Sequence, residues 1–115
     1  MNKENTEKKY GHTYDGGVTE KNIEDWKRKH RKVFRIDVVD DGDLHVGYFH
    51  RPSLETMGAV QKVSKESEIR GAEVLFKGCW LGGSEELLND SVLFTTAMEQ
   101  LNNAFASCMG SLKNL

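Results

Sequence analysis

Apolar and polar residues alternate with period two from residue 33, and the period then lengthens to that of a helix. Phe34, Ile36 and Val38 fall on one side of residues 33–39, with Arg35 and Asp37 on the other. This predicts a strand. Asp41–Gly42 follows, a dipeptide favoured in tight hairpin turns. A return strand is predicted over 44–50, where Leu44, Val46, Tyr48 and His50 alternate with His45, Gly47 and Phe49. Phe49 puts a large ring on the second side, so partial cover is expected on both faces near the strand end. Pro52 restricts Arg51 and cannot donate to a ladder, which ends the hairpin.

The helical part begins at Ser53, a capping residue for a helix over about 54–65. Leu54, Met57, Val60 and Gln61 mark its expected inner side, with Gly58 as a point of close packing. The polar run 64–68 is a break. Ser67 caps the next helix, in which Ile69, Ala72, Leu75, Phe76 and Cys79 share a face. Gly82–Gly83 stops that element and turns the chain. Asn89 or Asp90 caps the longest helix, expected over 91–109. Its stripe of Val92, Leu93, Phe94, Ala97, Met98, Leu101, Ala104, Phe105 and Cys108 is broad. Such a stripe needs more cover than a two-stranded hairpin supplies, so the two preceding helices or a second subunit must pack on it. The expected core contains Phe34, Ile36, Leu75, Phe76, Trp80, Phe94, Leu101 and Phe105.

Ahead of the hairpin the pattern thins. Residues 1–18 hold almost no apolar side chains and are read as mobile. Thr19 can cap a short helix to about His30, with Ile23 and Trp26 as its thin apolar face. The expected organisation is therefore a flexible polar extension over 1–32 and one α+β domain over 33–115, a β-hairpin followed by three main helices.

Charge supports that division. Residues 1–32 carry nine Lys or Arg against six Asp or Glu; residues 33–115 carry seven against twelve. The formal net charge of −2 gives general nucleic-acid binding no support. The run Trp26–Lys32, with five basic residues beside an aromatic, is the one patch that could touch it. A solvated helix face or a protein-docking arm accounts for it better. No apolar run is long enough to span a membrane, and no apolar stretch follows the N-terminal lysines as in a secretion signal. A cytoplasmic protein is expected, with Cys79 and Cys108 as reduced core thiols.

The sequence holds no complete catalytic constellation. His45 and His50 are an odd number apart on one strand and point to opposite faces, which argues against a shared metal. No Cys/His cluster or zinc motif occurs. The acids Asp37, Asp40, Asp41 and Asp43 lack the ligand order of a calcium loop. Glu85 and Glu86 are adjacent on a short link and do not face a common substrate. Cys79 has no local triad partner, and Gly82–Gly83 has no following Lys–Ser/Thr. The expectation is a binding protein without cofactor or metal. The candidate partner-binding residues are Trp26, Trp80, Leu81, Glu85, Glu86, Val92 and Met98. Leu81, Glu85 and Glu86 would rim a groove beside Gly82–Gly83.

Two short motifs add a resemblance. Tyr48–Phe49–His50–Arg51–Pro52 leads into a helix, and Cys79–Trp80–Leu81–Gly82–Gly83 precedes a long one that runs toward a terminal LKNL. Over residues 32–115 this order resembles the small tail assembly chaperones of tailed bacteriophages and prophages. The resemblance implies a non-enzymatic protein of the host bacterial cytoplasm. It would bind the tape measure protein, or another phage tail protein, and keep it soluble while the tail tube assembles. Other readings are a structural tail component, such as a head–tail connector or tail completion protein, and a small nucleic-acid-binding regulator.

Overall fold

The computed structural model describes residues 14–115. Its elements are α1 (Glu20–Lys29), β1 (Val33–Asp40), β2 (Asp43–His50), α2 (Leu54–Ser64), α3 (Glu68–Cys79), β3 (Trp80–Gly83), α4 (Glu86–Asn89) and α5 (Ser91–Ala106). The fold is α+β. The sheet is antiparallel in the order β1-β2-β3.

The β1–β2 hairpin follows the sequence pattern. Asp40 pairs with Asp43 across a two-residue loop, and Asp41 and Gly42 both have positive φ, 50° and 85°. That is the backbone such loops need to match the strand twist. Phe34 faces Phe49, and Ile36 faces Gly47, so these share one side of the sheet. Arg35 faces Tyr48 and Asp37 faces Val46 on the other.

Both sides are covered. On the first, Ile36, Val38 and Phe49 pack with Phe76 and Cys79 of α3, Leu87 of α4, and Leu93, Ala97, Met98 and Leu101 of α5. Phe49 is its centre, with edge-to-face contacts at 4.9 Å to Phe76 and 5.4 Å to Trp80. Of the expected core, Ile36, Phe76 and Leu101 are fully buried; Phe34, Leu75, Trp80, Phe94 and Phe105 are half-buried against them. On the second side Leu44, Val46 and Tyr48 pack with Tyr14 and Val18, and with Ile23 and Trp26 of α1. β2 is therefore buried on both faces, which explains why the ring of Phe49 stands on the side opposite Leu44, Val46 and Tyr48.

Several expectations change. The reading of residues 1–13 as mobile lies outside the described residues. Residues 14–18 are not a loose polar segment: Tyr14 and Val18 are buried, and the Val46 N–H donates to the Tyr14 carbonyl at 2.9 Å. A boundary at 32/33 therefore cuts through one packed layer. The four apolar anchors of that layer, Tyr14, Val18, Ile23 and Trp26, are spread over thirteen residues, so no local periodicity reveals them.

Gly82–Gly83 does not simply stop a helix. It belongs to β3, where Gly82 pairs with Tyr48 and Gly83 with Gly47.

Gln61 and the apolar pair Leu54 and Met57 do not form the inner side of α2, since all three are exposed. α2 packs on α3 at small residues. A Cβ on Gly71 would overlap Ser64 Oγ, and one on Gly78 would lie 2.6 Å from Thr56 Cγ2. Gly58, in contrast, has open space at its Cβ position. Finally, α5 ends at Ala106, three residues short of the expected end, and leaves Cys108 exposed while Cys79 is buried. Asp90 is the cap: its Oδ1 accepts from the N–H groups of Val92 and Leu93 at 2.9 and 3.0 Å.

Candidate functional site

Recesses of different chemistry open on the described residues. One, about 710 Å³, runs between α3 and α5 and is lined also by α4. Its apolar floor is Ile69 and Ala72 of α3, Leu88 of α4, and Phe94 and Met98 of α5. The helical period puts Ile69 and Ala72 three apart and Phe94 and Met98 four apart, so each pair lies on one face. Phe94 is held from behind by Phe76, ring centroids 4.8 Å apart. Ile69 stands at the lip and is 72% exposed.

The rim of this groove is acidic. Glu68, Glu73, Asp90 and Glu99 line it, with Asn89, Asn102 and Asn103, and no Lys, Arg or His does among the described residues. Glu73 is in part offset by Lys77, one turn along α3 at 4.0 Å. Asp90 uses its carboxylate as the α5 cap. Among the described residues Glu68 and Glu99 have no ion-pair partner.

The second recess, about 540 Å³, lies at the far end of the sheet and is polar. His45 Nδ1 is 3.1 Å from Ser84 Oγ and 3.2 Å from Glu86 Oε2. The trio has the residue types of a hydrolase triad without its geometry. In a triad, one ring nitrogen faces the serine and the other faces the acid. Here both partners crowd the same nitrogen, so the acid cannot orient a base toward the hydroxyl. The arrangement fixes the chain between β3 and α4 instead, where Ser84 N–H donates to the Val46 carbonyl at 2.8 Å. A smaller recess lies between β1 and α5, over Phe34, Ile36 and Ala104.

The candidate residues named from sequence are not brought together. Trp26 packs on Tyr48, ring centroids 5.6 Å apart, and lies over Gly82. It is anchored inward, so the basic run beside it has no free ring on which a base could stack. Trp80 turns to the opposite side of the sheet, against Phe49 and Phe76. Leu81 is the extra residue of a β-bulge, since Tyr48 pairs with Gly82 and Phe49 with Trp80. Leu81 packs against the cluster of Tyr14, Val18, Leu44, Val46 and Tyr48. Gly82 and Gly83 are covered by Trp26 and by Gly16, so no open groove lies directly over them. Glu85 and Glu86 are exposed on the rim of the polar recess. Val92 is 67% exposed, outside the apolar groove, whereas Met98 is nearly buried and lines it.

Ile69, Ala72, Leu88 and Phe94 complete the groove and were not among the candidates. The signal was present: the α3 and α5 stripes are each wider than one packing contact needs. Periodicity could not tell which part of a stripe meets the core.

His45 and His50 do face opposite sides. His50 stacks on His30 of the α1 C-terminus, ring centroids 4.1 Å apart and 10° from parallel. Burial, then His50, then Lys29 hold the His30 pKa below its usual value. Burial alone pushes the Cys79 thiol up to about 11. Among the described residues no group of three or more His, Cys, Asp or Glu side chains is gathered as for a metal ion, and no helix is long and apolar enough to cross a membrane. Comparison with protein-family models, with curated proteins and with solved structures gave no match.

Proposed function

We propose that this chain is a binding protein that covers an apolar helical segment of a partner in the groove between α3 and α5. The observation that carries this reading is the groove itself: five apolar side chains from three helices line one recess, and Ile69 at its lip is left in water. Apolar surface gathered in this way marks interaction sites more often than scattered exposed residues do.

The tail-chaperone resemblance supplies the partner. It rests on the Tyr48–Pro52 and Cys79–Gly83 motifs and on the order of elements. In this reading the partner is the tape measure protein of a phage or prophage tail, a long chain whose apolar helical stripes aggregate unless covered. The protein would act in the host cytoplasm during assembly, without turnover or cofactor.

Co-expression with the tape measure gene of the same genome tests this. The expected result is a higher soluble yield of that protein and a complex on a sizing column. Unchanged solubility with no complex would refute it. Mass spectrometry of purified particles separates a chaperone, expected to be absent, from a structural tail component.

A further inference from the structure

We infer that the groove between α3 and α5 is shaped for one kind of occupant: an amphipathic helix of another protein, with a single apolar ridge flanked on both sides by Lys or Arg. This deepens the proposed function and rests on the groove being the binding site.

The first argument concerns backbone. Every residue lining the groove belongs to α3, to α4 or to α5 with its capping segment, and none to a strand. An extended segment laid on this floor would find no strand edge. Its N–H and C=O groups would lose water without gaining partners. A helix satisfies its own backbone and needs only side-chain contact. The floor suits a ridge: Ile69 and Ala72 on one wall and Phe94 and Met98 on the other leave a furrow between them, as in ridge-and-groove packing.

The second argument concerns charge. Glu68 stands on the α3 side and Glu99 on the α5 side, and no lining residue is a cation. A low-dielectric furrow with acids on both banks concentrates a negative potential along its length. An acidic or neutral helix would be repelled or left unpaired there. A helix with Lys or Arg flanking its ridge meets an acid on each bank, which sets its register and speeds its capture.

The chain's own segments fit less well. The basic helix α1 has spent its apolar residues, Ile23 and Trp26, on the sheet. Residues 107–115 carry exposed Met109 and Leu112 but only one cation, Lys113.

The test uses the full chain and two synthetic helical peptides with the same leucine ridge, one flanked by Lys and the other by Glu. Binding is followed by fluorescence anisotropy at low and high salt. Circular dichroism checks the fold of each variant. The Lys peptide should bind wild type more tightly than the Glu peptide, and Ile69→Ser should weaken it. The double change Glu68→Gln with Glu99→Gln should weaken it on the order of five- to ten-fold at low salt, with the difference shrinking at high salt.

Equal binding of both peptides, still weakened by Ile69→Ser, overturns the charge inference and leaves the groove reading standing. Binding of neither peptide, or binding insensitive to Ile69→Ser, overturns both. Binding that appears only after residues 107–115 are removed assigns the groove to the chain's own tail and overturns the inference. A self-associated state dispersed by Ile69→Ser assigns it to a second copy and does the same.

Discussion

Gly83→Ala should destabilise the protein far more than a one-carbon change normally does. Gly83 has φ of +140°, a conformation that side-chain-bearing residues rarely adopt. Its backbone also lies against β2. A Cβ there would overlap the Val46 carbonyl oxygen and sit 2.8 Å from the Cα of Gly47, both backbone atoms within a paired ladder. Neither can swing away as a flexible side chain would. Backbone strain of this kind costs about 1–3 kcal/mol, and forcing an extra carbon into a packed site costs about 1–3 kcal/mol more. The sum, about 2–6 kcal/mol, is a large part of the roughly 5–15 kcal/mol that holds a domain together. With a urea m-value of about 1.5 kcal/mol/M, the midpoint should fall by at least about 1.3 M. Gly17→Ala is the control. Gly17 also has positive φ, +82°, but none of the described residues lies within 4 Å of its Cβ position. That variant feels strain alone, about 1–2 kcal/mol. Urea unfolding followed by tryptophan fluorescence reads both, because Trp26 and Trp80 pack on opposite faces of the sheet. If Gly83→Ala loses no more than Gly17→Ala, the close approach of β3 to β2 is not what this glycine is for.

Leu101→Ala removes a fully buried side chain from the main core and should cost about 2–5 kcal/mol, read as a fall in the urea midpoint; a wild-type midpoint would contradict the packing. In the folded protein one thiol should react with an alkylating reagent near neutral pH and a second only after denaturation, since Cys108 is exposed and Cys79 is buried with its pKa raised to about 11; two fast thiols would refute this. His30 has a folded pKa below its unfolded value of about 6.5, so the unfolded state takes up its proton first as pH falls. Its contribution is therefore intact above about pH 6.5 and declines as pH drops toward the lowered folded value. His30→Asn should flatten that part of the stability–pH curve, and identical curves for the two proteins would contradict the His30–His50 contact.

Local periodicity and turn chemistry were enough to place the helices capped by Thr19, Ser53, Ser67 and Asp90 and the Asp41–Gly42 hairpin. Each of these signals is short-range: a hydroxyl or carboxylate reaching an N–H two or three residues on, or a backbone that tolerates positive φ. The α+β class and much of the core stripe of α5 followed from the same patterns. What the sequence could not display was anything fixed by distant partners. Gly82–Gly83 reads as a helix stop because glycine has little strand propensity; with Trp80 and Leu81 it forms a strand only because β2 offers an edge. The role of Tyr14 and Val18 appears only when β2 presents a second apolar face for them to cover. Leu54 and Met57 mark the inner side of α2 by their apolar pattern, yet Gly71 and Gly78 of α3 admit Ser64 and Thr56 instead. The groove is the clearest case. The sequence determined that the stripes of α3 and α5 are broad and apolar. Only the angle at which the two helices meet over the sheet decided that Ile69, Phe94 and Met98 would line a recess, because a stripe records which side chains avoid water and not which neighbour covers them.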